Sequence, residues 1–424
     1  MANTSSAGVI FSILGQHAED ASFLWLLRDG ALNTPQFKLK ELARFDGRVE
    51  AHIDGLRIAG EEGWQLACKE LTWKEPGETF AATVLAIESG DPPKIQPVMA
   101  VAAKTPELSR GFISALGWLD YKQAEPHIKN LCASQSPAQK RIGIAAAAIH
   151  RKDPGRPLNE AISDPDLLLR ARGMRAVGEL GRVDLVSLIQ RDLSAEDATC
   201  RFWSAWSTAL LAGYANATQV LQSISESPGP YRERALQIAL RRMNLTTAHT
   251  WQQQLARNPQ AARLAVIAAG IIGDSALIPW LIEQMKNPAL ARVSGEAFTM
   301  ITGVDLAYDD LDGDKPEGFE AGPTDDPLDD NVEMDPDERL PWPDPILISK
   351  WWANRASEFQ PGVRHLIGKP ITAEWLLQVL RQGRQRQRTA AALELAIIRP
   401  GELLFEIRAA GFRQQEILQL PVSR

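Results

Sequence analysis

Runs of small and aliphatic residues alternate along this chain with short polar punctuation. Ile142 to Ile149, Ala171 to Leu180 and Leu264 to Ile272 are the clearest runs, and at helical spacing such residues let helices approach closely. A second apolar stretch follows, as in Val183 to Ile189 and Ala276 to Met285, so the pattern predicts helices in pairs. Ser136-Pro137, Asp164-Pro165, Asn258-Pro259 and Asn287-Pro288 read as helix starts, because a polar N-cap satisfies a free amide and proline presets φ at the first helical position. Gly117, Gly181, Gly213 and Gly273 fall where helices should end, glycine accepting the left-handed conformation of a C-terminal cap.

The pairs recur. Arg48, Thr79, Arg110, Arg141, Arg172 (or Arg170), Arg201, Arg232, Arg263 and Arg292 fall on a beat of about thirty-one residues. One helix pair cannot bury its own apolar face, so a period of this length predicts stacking on neighbours. The expected fold class is all-α: a HEAT-like α-solenoid, an armadillo-type superhelix of about nine helix pairs with helical caps. With its Asp/Asn-Pro turn and early arginine, the unit resembles the short bacterial kind of HEAT repeat over residues 48–304. The likeness is strongest at Asp164 to Arg182 and Asn258 to Asp274, weakest around Thr79, and recurs in degenerate form at Arg388 to Ile398.

Four divisions are expected: an N-terminal helical cap over 1–47, the repeat array over 48–304, an acidic loop or disordered insertion over 305–345, and a basic C-terminal helical region over 346–424. Within the cap, residues 9–27 read as an amphipathic helix in which His17 and Trp25 pack rather than react.

Charge separates these regions. Residues 305–338 carry fifteen Asp or Glu and one Lys, the stretch from Arg339 onward carries thirteen Lys or Arg against seven acids, and residues 1–304 carry thirty-two against thirty-one. A nearly neutral array argues against nucleic acid as partner, since nucleic-acid binders carry a basic excess. The arginine row then reads first as hydrogen bonding within the stack, a role that suits a planar guanidinium. A row of positive charges for an anionic partner is the sharper alternative. The acidic stretch has too few apolar residues to offset its ordering entropy, and either attraction to the basic tail or competition with it for one partner is expected.

The residues needed for chemistry are missing. Cys68, Cys132 and Cys200 lie far apart, without a paired spacing for zinc or redox work. His17, His52, His127, His150, His249 and His365 form neither H-E-x-x-H nor the His-Glu dipeptides of repeat-built di-iron hydroxylases. Asp310, Asp312 and Gly313 imitate part of a calcium loop, but Tyr308 and Phe319 occupy its first and last ligand positions. No nucleophile elbow, P-loop or dinucleotide fingerprint occurs. No catalytic, cofactor-binding or metal residue is therefore assigned, and no cofactor. No run approaches the roughly twenty apolar residues that cross a bilayer and no secretory leader is recognisable, so no membrane span and cytoplasmic residence are expected.

A binding role is left, with candidate contacts at aromatic and arginine anchors: Trp203, Trp206, Trp342, Trp351, Trp352, Arg381, Arg384, Arg386 and Arg388. Phe202 and Trp206 share a helix face, which favours core packing for that patch. Five segments in order resemble an uncharacterised bacterial family often encoded beside type VI secretion genes: His17 and Glu19 through Phe23-Leu24-Trp25, Arg48 to Leu56, Phe298 to Gly303, Pro341 to Pro345 with Trp351-Trp352, and Gly383 to Leu395. The resemblance implies a cytoplasmic adaptor that loads a secretion spike or effector, its partner a protein of that kind or a chaperone, and it supplies no catalytic residue. The alternative is a nucleic-acid-binding HEAT-like protein or a repeat-built lyase-type enzyme.

Overall fold

Helix starts follow the punctuation of the sequence. In the computed structural model, which describes residues 10–32, 34–323 and 332–421, Ser136 and Asn287 cap helices Pro137–Ile149 and Pro288–Thr302, and Asn287 accepts the amide of Ala289 at 3.1 Å. Asn258 opens a 3₁₀ turn that leads into helix Ala262–Ile272. Asp164 stands two residues too early: the cap is Asp166, which accepts the amide of Leu169 at 2.9 Å. Thr105-Pro106 and Asp344-Pro345 use the same device. Gly181, Gly213 and Gly273 have positive φ just past helix ends. Gly117 instead lies inside helix Pro106–Trp118, where a Cβ would stand 2.6 Å from Ile149. It serves close approach, not termination.

The described residues hold twenty-two α-helices and one hairpin of two-residue strands, His365–Leu366 and Lys369–Pro370. The fold is all-α. Two compact units divide it, one made of 1–207 with 401–424, the other of 208–400, and neither edge coincides with the four divisions expected from sequence.

In the first unit, helices Phe11–Ala31, Pro76–Ser89, Pro106–Trp118, Pro137–Ile149 and Leu167–Glu179 pack each on the next, while Pro92–Ala102, Tyr121–Cys132 and Arg156–Ala161 bridge successive members. In the second, Arg232–Arg242, Ala262–Ile272 and Pro288–Thr302 pack in the same succession, each against its own partner: Ala215–Glu226, Leu245–Ala256 and Ile278–Gln284. Helices Ala373–Gln382 and Gln385–Ile398 pair with each other, the latter also touching Arg232–Arg242. Interiors are filled by the small-residue runs, Ile142, Ile144, Ala146 and Ala148 being fully buried in one unit and Ala265, Val266, Ala268 and Ala269 in the other. Trp25 is core, as expected: it stacks on Phe80 at 5.2 Å and donates to Ser114 Oγ at 3.0 Å.

A helix leaves its last carbonyls without amide partners, and in both units the late chain supplies them. In the second unit, Arg364 donates to the carbonyls of Leu240 and Met243 at 2.8 and 2.7 Å, the His365 amide to Gly273 at 2.8 Å, and the amides of Ile367 and Gly368 to Met300 and Ile301 at 2.8 and 2.9 Å. A side chain on Gly273 would meet the His365 carbonyl at 2.3 Å, so glycine there serves both the cap and the crossing chain. In the first unit, the Leu404 amide reaches Glu179 O at 3.1 Å, Arg413 donates to Gly117 O and to Leu119 O at 2.6 Å, and the Gly411 amide binds the buried Asp46 at 2.5 Å. Arg28 completes this closure, donating to Asp46 at 2.8 Å and to the carbonyls of Arg408 and Ala409, each at 2.9 Å.

Candidate functional site

The repeat arginines mostly serve the fold. Arg141 donates to Ser109 Oγ at 2.8 Å, Arg170 to the Asp164 carbonyl at 2.9 Å, Arg201 to the Ala195 carbonyl at 2.5 Å and Arg232 to the Ser225 carbonyl at 3.0 Å. Arg170 and Arg201 each reach the carbonyl six residues upstream, which makes Arg170 the equivalent rung. Arg172 instead binds the buried Glu179 at 2.8 Å.

Arg263 and Arg292 differ. Arg263 grips Asp337 through both terminal nitrogens at 2.5 and 2.7 Å, and Arg292 donates to Asp335 at 2.5 Å. Both carboxylates belong to the acidic segment. Burial works against ionisation of Asp335, but the Asp337 amide, Arg292 and Arg263 hold its pKa below the ordinary value. The segment's ends are joined to each other, the Gly313 amide donating to Trp342 O at 2.8 Å and the Asp344 amide to Leu311 O at 2.9 Å. Described parts of 305–345 contain neither helix nor paired strand before Pro345 beyond an isolated bridge between Asp312 and Pro343, and residues 324–331 lie outside the described residues. Attraction to the basic tail takes the form of an ion pair from Arg384 to Asp305.

This joined loop forms one wall of a groove of about 940 Å³. Helix Ile278–Gln284, the start of helix Pro288–Thr302, and Ile346 and Trp352 of helix Pro345–Arg355 supply the rest of the lining. Trp342 is held between the guanidinium of Arg292, 4.4 Å from its ring, and the edge of Phe319 at 5.4 Å. Trp352 leans on Phe359 at 5.3 Å. Pro279, Pro288, Pro316, Pro343 and Pro345 line the groove too. Together with the tryptophans they give the groove a lining of ring surface.

Of the residues nominated from sequence, Trp342 and Trp352 meet at this groove. Trp351 turns to the core, packing edge-on to Phe298 at 5.6 Å. Trp203 and Trp206, 8% and 7% exposed, pack against each other at 5.4 Å, with Trp206 also against Gly178. They have almost no surface to give a partner, which corrects their nomination. Arg388 is corrected likewise: it is 0% exposed and donates to Leu380 O and Gln385 Oε1, each at 2.7 Å, because helix Gln385–Ile398 turns that face inward. Arg386 lies 3.7 Å from the half-buried Glu296, and Arg381 is half-buried on helix Ala373–Gln382. The basic residues of the tail therefore serve their own unit before any partner.

Sequence reading overlooked the proline walls, although Asp344-Pro345 repeated the helix-start signal used elsewhere. Burial pushes Cys132 up to about 11, and burial with Asp197 nearby pushes Cys200 up to about 12. Neither thiol is poised to ionise. Among the described residues no cluster of three or more His, Cys, Asp or Glu could hold a metal ion, and no helix is long and apolar enough to cross a membrane. Comparison with known protein families, curated proteins and solved structures finds no match.

Proposed function

We propose that the chain is a non-catalytic protein-binding adaptor, built as a HEAT-like α-solenoid and resident in the cytoplasm. Support for the repeat comes from the succession of helices within each unit and from the rung arginines, which repeat in role as well as spacing. Support for binding comes from one observation: a groove with two tryptophans on its lining and Ile346 67% exposed beside them. Large apolar side chains held open to water in a concave site are characteristic of protein recognition. The segments set out above that resemble a family encoded beside type VI secretion genes make a spike, an effector or a chaperone the expected class of partner.

The test is affinity purification from the native cell with the wild-type chain and with Ile346→Lys, a change at an exposed position. The adaptor reading expects one protein partner, recovered by wild type and lost with the variant. Recovery of nucleic acid alone, or of the same proteins by both chains, overturns it.

A further inference from the structure

We infer that the groove's occupant is an extended, basic segment of the partner, with apolar side chains against Trp342 and Trp352 and its cationic groups at the acidic rim. This rests on the adaptor reading and adds the chemistry of the ligand.

Three observations converge. The first is shape: about 940 Å³ lies near the upper end of the roughly 300–1,000 Å³ range of ligand clefts, and Ile346 on the lining is exposed, so the site suits a stretch of chain better than one enclosed side chain. Second is the lining itself. Trp342, Trp352 and five prolines give it ring surface, against which apolar side chains of an extended occupant can pack.

Charge is the third. The loop that forms one wall carries exposed Asp310, Asp312, Asp314, Glu317 and Glu320 around Gly313 and Pro316. Against them stand Lys286, already paired with Glu283 at 2.6 Å, and Lys350 on the lining, with Lys315 in the loop itself. The excess is negative, within a segment whose formal charge is −14 by its fifteen acids and one lysine. The Asp335 and Asp337 carboxylates are taken by Arg292 and Arg263. Those two pairs fasten the segment to the helices, and Asp310, Asp312, Asp314, Glu317 and Glu320 stay exposed. An apolar lining beside a loop with an acidic excess favours a ligand of the opposite sign and raises its association rate.

The probe is a short fluorescein-labelled peptide of alternating lysine and leucine, compared with one of alternating glutamate and leucine, by fluorescence anisotropy on the full chain. Expected are binding of the lysine peptide, a Kd at least about tenfold weaker at high salt than at low salt, and no binding of the glutamate peptide. Asp314→Lys and Ile346→Lys should each weaken binding by about threefold to tenfold, whereas Glu62→Lys, an exposed change on helix Glu61–Glu70, should leave it unchanged. Circular dichroism confirms that the variants fold.

Equal binding of the two peptides, indifference to Asp314→Lys, or equal weakening by Glu62→Lys overturns the inference. If neither peptide binds while Ile346→Lys still abolishes recovery of the native partner, the basic ligand is wrong and the adaptor reading stands. If native recovery ignores Ile346→Lys, the adaptor reading itself fails.

Discussion

Arg201 and Arg263 occupy the same place in the period and meet opposite surroundings. The first donates to a carbonyl of the turn just before its own helix, and the second grips a carboxylate seventy-four residues downstream. Arg170 behaves like Arg201, Arg232 reaches the Ser225 carbonyl at the end of the preceding helix, and Arg292 behaves like Arg263. A guanidinium offers five donors in a rigid plane and keeps its charge, so the repeat can place it where a neighbouring turn supplies oxygen, and a remote segment can use it where that oxygen comes from elsewhere. The repeated arginine is a socket, and the acidic segment plugs into the last two.

The largest effect should come from an arginine pair whose counter-charge is buried. Glu179 lies beside Arg172 and Arg175 at 2.8 and 2.7 Å. Glu179→Ala leaves Arg172 buried without a partner and should cost about 3–5 kcal/mol, read as a lower denaturant midpoint. Burial alone would raise the Glu179 pKa, but Arg172, Arg175 and Arg151 hold it at about 2. Since this lies below the ordinary value of 4.5, the stability it contributes is complete above pH 4.5 and is lost as pH falls toward 2. The wild-type midpoint should fall across that window and that of Glu179→Gln should fall less. A parallel profile would show that the pair is inert.

Helix ends sharpen the comparison, because there too a remote arginine meets a local group. His150 Nε2 donates to Leu116 O at 2.7 Å, and Arg413 stands 3.4 Å from its other ring nitrogen. Burial, then the Arg413 charge, lowers the His150 pKa to about 4. The folded chain keeps this ring neutral where the unfolded chain, at about 6.5, takes up a proton. The associated stability is present above pH 6.5 and lost as pH falls toward 4, by up to about 3 kcal/mol. His150→Gln keeps a donor for Leu116 and should flatten that part of the profile, with NMR titration of the imidazole as an independent check.

The plugged sockets should show a smaller, local effect. Asp337→Asn replaces a two-point ionic grip on the half-buried Arg263 and should cost about 1–3 kcal/mol. The loss should fall on attachment of the segment more than on the unit as a whole. Hydrogen exchange at Asp335 to Leu340 should accelerate while the global midpoint moves less than for Glu179→Ala. If the whole unit is destabilised instead, Asp337 is part of the core and the socket description is wrong.

Much of this was legible because it is local. The Ser136 and Asn287 caps, the small-residue runs and the arginine beat depend on residues within one or two turns, and periodicity reports such neighbours directly. Asp164 misled because an Asp-Pro pair can also make the turn before the cap, its carboxylate accepting the Asp166 amide at 2.9 Å. The aromatic character of Trp203 and Trp206 suggested a contact surface, yet a tryptophan looks alike in sequence whether a neighbouring Gly178 gives it room in the core or not. The groove was half visible: Trp342 and Trp352 were nominated, but the wall of Pro279 and Pro288 comes from helices far away in sequence. Arg364 and Arg413 carried no signal, since donation to the ends of distant helices has no period.

The smallest effect tests whether context or position sets a rung's worth. Arg48 opens the row, is exposed, and lies over the Phe45 ring at 5.5 Å; an exposed cation above an aromatic face contributes about 0.5–1 kcal/mol. Arg141 is half-buried and donates to Ser109, a fully buried hydroxyl that itself donates to Ala102 O at 2.6 Å. Arg141→Ala should therefore cost about 1–3 kcal/mol by stranding that hydroxyl's acceptor site and losing packed stem, and Arg48→Ala no more than about 1 kcal/mol. Paired chemical denaturation of the two variants decides it. Equal costs would mean that the period itself, and not what each guanidinium finds to bind, carries the stability, and the contrast between Arg201 and Arg263 would then lose its physical basis.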